Sequence, residues 1–241
     1  MFDSHTHLQK FDAGVLPAVM NAAFEAGITA VSCCAVSPED WVRVSAVASE
    51  YPQVMPSYGV HPWCAGELPE NWSEKLLKIL QDDPAAGVGE AGLDFLKPDH
   101  ELQERVFETQ LEMAVELGRR ITIHCVKAHG KMTEILSRFC GRFRIPSDDD
   151  EKESPSCPYC LLHSLSCSAE ILAGYLKLGA CVSIGLAVVN PRNARVRELA
   201  VSLPEERLFF ETDSPGGRGY SGGPADLPRV AACVRALRGG S

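Results

Sequence analysis

Eight short apolar runs alternate with eight longer amphipathic stretches along the 241 residues of this chain. The short runs fall at residues 2–5, 28–33, 54–60, 86–90, 121–124, 159–163, 180–184 and 208–211. Several are rich in Val and Ile, the composition of parallel strands covered on both faces. Between them, residues 16–26, 38–50, 73–81, 101–117, 131–140, 169–178, 192–201 and 227–237 carry apolar side chains at helical spacing. The clearest is 101–117, where Leu102, Val106, Phe107, Leu111, Ala114 and Val115 share a face. Strict strand–helix alternation predicts a parallel sheet. Eight units of about 30 residues each predict an α/β fold closed as one (β/α)8 TIM barrel, with its chemistry at the C-terminal ends of the strands.

No linker or composition shift divides the chain, so residues 1–241 read as a single domain. The unusual segment is 145–158, IPSDDDEKESPSCP, which reads as a polar surface loop insertion. It runs from a helix into a strand and so belongs on the bottom of a barrel, away from the reactive face. Hydrophobic residues at 45% and charged residues at 23% exclude a disordered chain, a coiled coil and a collagen-like fibre. No apolar run approaches the roughly 20 residues of a membrane span. The opening MFDSHTHLQK lacks the marks of a secretory signal, so a cytoplasmic protein is expected. Ten scattered cysteines in a chain of this size read as reduced, mostly buried thiols. A net charge of −9 excludes a broad basic face for duplex phosphate, but bound cations can supply positive charge locally. There is no Walker A loop and no G-x-G-x-x-G, so no nucleotide cofactor is expected.

The strand ends carry the chemistry. His5 and His7 close the first run, His61 the third, Glu90 and Asp94 the fourth, His124 the fifth, His163 the sixth, and Asp213 follows the eighth. His5 and His7 are two apart and on a strand share a face. Glu90, His124, His163 and Asp213 arrive at the same rim from four other strands. Imidazole nitrogens with carboxylate oxygens suit Zn, Mn or Fe, and more loosely Mg. Six donors are too many for one catalytic ion with an open position. They suit two divalent ions with a bridging carboxylate, and Glu90 lies between the flanking donors. Asp213 is placed both to ligate and to take the proton of an attacking water. Glu90 and Asp213 are therefore the candidate catalytic residues. His61, Asp94 and Arg218 are the candidate substrate contacts, with Asp94 also placed to orient a ligand histidine or cap the following turn. Arg218 sits in the loop after the eighth strand, where barrels often bind phosphate.

Cys157, Cys160, His163 and Cys167 imitate a Cys3His zinc spacing. On a strand, however, Cys160 and His163 face opposite ways, and one tetrahedral ion cannot hold both. A nucleophilic Cys125 is disfavoured because its neighbour His124 is better used as a ligand.

Seven successive motifs resemble those of the TatD family of metal-dependent deoxyribonucleases, within the amidohydrolase superfamily. They are DSHTHL (3–8), YGVHP (58–62), GEAGLDF (89–95), QERVF (103–107), ITIHC (121–125), LLHSLS (161–166) and ETDSP (211–215). The resemblance implies that His5, His7, Glu90 and Asp213 hold one ion and that Glu90, His124 and His163 hold the other. It implies hydrolysis of phosphodiester bonds, often exonucleolytic, on single-stranded or 3′-end DNA. The metal residues match throughout, whereas the substrate residues differ. Gln9 stands where the family has Asp. Cys125 and Val126 replace Ser-Arg, with Lys127 one residue further on. Ser164–Cys167 and the GGRGYSGGP loop are also divergent, and Ser241 falls short of the usual helical extension. Two other readings use the same site: an ester or amide hydrolase (of aminoacyl-tRNA or a small cyclic amide), and a metal-binding protein without activity. A monomer is expected.

Overall fold

The computed structural model describes residues 1–144, 159–216 and 222–239. The expected loop insertion at 145–158, Cys157 and Arg218 lie outside the described residues.

All eight predicted strands form: β1 (Phe2–Thr6), β2 (Ala30–Cys34), β3 (Val54–Tyr58), β4 (Gly87–Asp94), β5 (Ile121–Val126), β6 (Cys160–Leu162), β7 (Cys181–Ile184) and β8 (Leu208–Phe210). They are parallel and stand in sequence order, each paired with the next. Eight helices follow them: α1 (Leu16–Glu25), α2 (Trp41–Glu50), α3 (Trp72–Asp82), α4 (His100–Glu116), α5 (His129–Ser137), α6 (Ala169–Lys177), α7 (Ala194–Ser202) and α8 (Leu227–Leu237). Each helix buries its apolar stripe on the barrel. In α3, for example, Leu76 and Leu80 lie one turn apart and are both fully buried, each worth about 1.5–3 kcal/mol. No helix among the described residues is long and apolar enough to cross a membrane.

The seam between β8 and β1 closes just beyond the end of β8. Asp213 N–H donates to His5 O at 3.0 Å, and His7 N–H donates to Ser214 O at 2.7 Å. Buried Asp3 latches the same seam across 209 residues of sequence: it accepts from Thr212 N at 3.0 Å and shares a 2.6 Å hydrogen bond with the Thr212 hydroxyl. Closure therefore fixes His5, His7 and Asp213 relative to one another. At the opposite end of the barrel, buried Arg120 donates to Ala85 O at 3.0 Å and to Pro56 O at 2.9 Å, tying β3 to the starts of β4 and β5.

Burial pushes the Asp3 carboxyl from 3.8 up to about 8, against the pull of its bonds from Thr212. In the unfolded chain that carboxyl ionises near its ordinary value. Between those limits the folded state holds a proton that the unfolded state has lost, so Asp3 lowers stability as pH rises through the window. Asp3→Asn keeps the shape and the donor–acceptor pattern, and should flatten the decline between pH 5 and 8. Asp3→Ala should cost about 2–3 kcal/mol at pH 5 by leaving the Thr212 N–H unpaired. Urea midpoints at the two pH values test both; an alanine variant as stable as the parent would remove the latch.

Candidate metal centre

Two features of the backbone bring the donors together. Gly92 in β4 has φ +142°, and a Cβ there would overlap the His124 carbonyl oxygen, so β4 and β5 approach as only glycine permits. Two buried glutamines on the inner face of α4 then grip the strand ends. Gln110 accepts from Val60 N at 2.7 Å and donates to Val60 O at 3.1 Å, next to His61. Gln103 accepts from Asp94 N at 2.8 Å and donates to Asp94 O at 3.1 Å. Polar residues buried in an amphipathic helix must find partners, and these hold the loops that carry the site.

The structure brings all six expected donors to one point. Glu90, only 3% exposed, is the hub. Its Oε1 lies 2.8 Å from His163 Nε2, 3.0 Å from His124 Nδ1 and 3.3 Å from His61 Nε2. Its Oε2 lies 3.4 Å from both His5 Nε2 and His7 Nε2. Asp213 Oδ1 stands 3.6 Å from His5 Nε2 and 3.5 Å from His7 Nε2. β1 ends at Thr6, one residue before His7, yet the two imidazoles still meet at 3.3 Å.

The far ring nitrogens decide which near nitrogens offer a lone pair. His7 Nδ1 is 2.8 Å from Cys34 O, so its proton sits there and Nε2 is free to ligate. His124 Nε2 faces Asp94 Oδ2 at 3.5 Å, leaving Nδ1 toward Glu90. His163 Nδ1 faces Glu211 Oε1 at 3.7 Å. None of the three outer nitrogens His5 Nδ1, His124 Nε2 and His163 Nδ1, all buried, has a hydrogen-bond partner among the described residues. His61 differs. Its Nδ1 accepts the Trp63 N–H at 3.2 Å, which puts the ring proton on Nε2. Although His61, Glu90 and His124 present atoms within 4.8 Å of one another, neutral His61 points a donor, not a lone pair, at that cluster.

The electrostatics suit a cation. Burial would raise the Glu90 carboxyl, but the imidazoles around it, His163 first, and the bond from His124 outweigh it and hold it well below the usual range. Burial would likewise raise Asp213, but the bond from His7 and the charges of His5 and His163 bring it down to about 2. Burial lowers His163, yet Glu90 and Glu211 raise it well above the usual value. Burial also lowers His7, but Asp213 and Glu90 lift it to about 9. Two buried carboxylates thus draw protons onto imidazoles, and a divalent cation competes for the same charge. Donor chemistry, burial and the directed ring nitrogens all fit metal.

The remaining positions are also placed. Asp94 spends both oxygens on the protein: Oδ1 accepts from Leu96 N at 3.0 Å, and Oδ2 accepts from Trp63 Nε1 at 2.6 Å while facing His124. Gln9 donates to Cys34 O at 2.9 Å and accepts from Cys33 Sγ at 3.2 Å, bracing β2 beside His7. Burial pushes the Cys125 thiol up to about 11, and its sulfur lies against His129 and Tyr175 rather than Glu90. No candidate metal cluster among the described residues contains a cysteine, and no disulfide forms among them.

Comparison with known proteins then decides the lineage. The family model "TatD related DNase" matches residues 2–241. The chain belongs to the TatD family. A "3′-5′ ssDNA/RNA exonuclease TatD" from Edwardsiella piscicida is 28% identical over 207 residues, covering 84% of this chain and 74% of that protein. The "uncharacterized metal-dependent hydrolase YjjV" of Escherichia coli K12 is 27% identical and covers 98% of this chain and 89% of its own length. The crystal structure of YjjV superposes with a TM-score of 0.84 over 98% of this chain and 90% of that one. A TatD-family hydrolase from Entamoeba histolytica, 16% identical over 100% of this chain and 92% of its own, shares the fold with a TM-score of 0.83. As a TatD-family member, this chain is a metal-dependent hydrolase.

Proposed function

We propose that this TatD-family protein hydrolyses phosphodiester bonds in single-stranded DNA, working from a 3′ end with two divalent cations. The convergence of five imidazoles on the Glu90 carboxylate, with the Asp213 carboxylate beside two of them, carries the reading. The names of the bacterial relatives support the substrate and direction. His5, His7, Glu90 and Asp213 would hold one cation, and Glu90, His124 and His163 the other, with Glu90 shared. Zn, Mn and Mg all suit nitrogen–oxygen donors of this kind. When bound, such ions acidify water and neutralise phosphate charge.

The chain's own residues supply the rest. Asp213 is 37% exposed, against 3% for Glu90, so its carboxylate faces the open mouth and is placed to accept the proton of an attacking water. His61 presents Nε2–H toward the cluster and can donate to a phosphate oxygen. Asp94 and Glu211 face the outer nitrogens of His124 and His163 at 3.5 and 3.7 Å, so their charge favours a proton on that side of each ring. One chain provides every donor, so a monomer suffices.

The test is cleavage of end-labelled single-stranded DNA by metal-stripped protein with Mg, Mn or Zn restored. Trimming from the 3′ end that depends on added metal is the expected result. Metal binding without cleavage of DNA, but with hydrolysis of ester or amide substrates, would replace the phosphodiester reading. Metal binding without any turnover would leave an inactive binding protein.

A further inference from the structure

Trp63 is an exposed indole held as if it were buried. It lies in the 3-10 turn Pro62–Glu67 directly after His61, and 59% of it is exposed, so folding gains little from it. Three contacts nevertheless fix the ring. Its Nε1–H donates to Asp94 Oδ2 at 2.6 Å. It meets the His61 ring edge to face, with centroids 4.8 Å apart and planes at 80°. Lys97 Nζ lies over the ring, 5.0 Å from its centroid. The indole is also 6.4 Å from the His124 ring, so it forms a wall of the metal cluster's mouth. Exposed Leu96 stands next to Lys97 in the same loop.

A rigid exposed aromatic beside a cation is the arrangement on which unpaired bases stack. The chain has a reason to use it. At a net charge of −9 it has little Coulombic attraction for a polyanion outside the metal cluster. Stacking supplies affinity without net charge and tolerates any base, because every base presents a π-face. It also requires that the base be unpaired, which selects a single strand or frayed end over a duplex.

We propose that Trp63 is the stacking platform for an unpaired nucleobase of the nucleotide whose phosphate sits at the metal cluster, with Lys97 contributing charge beside it. This rests on the phosphodiester reading above. Trp63 is then a positioning and specificity residue, and the bonds made and broken belong to the residues around Glu90.

The experiment is a cycle in protein and substrate. An oligothymidylate is compared with the same oligonucleotide carrying abasic residues at its two 3′-terminal positions, on the metal-loaded parent, Trp63→Leu and Trp63→Phe. The parent should prefer the intact strand in kcat/KM by about tenfold, the scale of one base–aromatic stack. Trp63→Leu should erase that ratio, and Trp63→Phe should keep most of it. A merely structural role would lower both substrates together and leave the ratio intact, which would overturn the proposal. Dissociation constants from fluorescence anisotropy on the same pair separate the two ideas. If the parent cleaves neither strand, the nuclease reading fails on its own. A binding preference for the intact strand that Trp63→Leu loses would still sustain the platform, and equal or absent binding would overturn it.

Discussion

Glu90→Ala should strip both cations from the protein and lower turnover by at least roughly three orders of magnitude, the scale of losing several kcal/mol of metal-derived stabilisation. The reason lies in how many groups depend on one carboxylate. Glu90 reaches His163, His124 and His61 through Oε1, and His5 and His7 through Oε2. Alanine would leave those imidazoles around a cavity without the buried negative charge that a divalent ion needs. No other group replaces it, since Asp213 touches only the His5–His7 side. Glu90→Gln separates charge from shape, because the amide fills the same volume with one neutral acceptor. It should hold less than one cation per chain while keeping the native circular dichroism. Elemental analysis of protein dialysed against the metal, beside single-turnover rates, gives both quantities. Two ions retained in Glu90→Ala would refute the bridging assignment, whatever happened to the rate.

The strands were legible because their signal is local. Each is a short apolar run, several of them rich in Val and Ile and six followed by a His, Glu or Asp, and a parallel barrel places those residues on one rim. Predicted and observed elements differ chiefly at their ends. β4 runs on to Asp94 rather than stopping at Glu90, because Gln103 satisfies the backbone of Asp94. α2 begins at Trp41, three residues later than the apolar pattern, after a 3-10 turn at Pro38–Asp40.

What the sequence hides depends on partners distant in the chain. Gln103 and Gln110 look like polar interruptions of an apolar stripe until the strand ends they grip are known. Asp3 opens a motif yet acts as a latch, through a residue 209 positions away. His61 cannot be distinguished from its fellow histidines by type. A single N–H from Trp63 directs its proton inward, the reverse of His7, whose Nδ1 proton is spent on Cys34 O. Asp94 is expected to orient a histidine or cap a turn, and its two oxygens reach His124, Leu96 and Trp63 together.

Asp213→Asn is the complementary experiment, because it should divide holding metal from moving a proton. Asp213 sits at φ +53° and donates its backbone N–H to His5 O, so the barrel seam sets its position. Asn tolerates that left-handed conformation as well as Asp does. The substitution therefore keeps the fold and one oxygen near His5 and His7, where the Asp213 carboxylate lies 3.6 and 3.5 Å from their Nε2 atoms. What it removes is the anion. With its carboxyl held at about 2 by His7, His5 and His163 against the effect of burial, Asp213 is ionised throughout the neutral range and always open to a proton. An amide cannot take one. More than half of the metal should remain bound, while kcat falls by about 10²- to 10⁴-fold, the usual contribution of a positioned base. A change confined to KM would make Asp213 a substrate contact. Loss of metal in proportion to loss of rate would make it a ligand only. Full metal content with an unchanged kcat would mean that the proton leaves by another route, and His61, whose ring already carries a proton on the inward nitrogen, could not provide it without first giving that proton up.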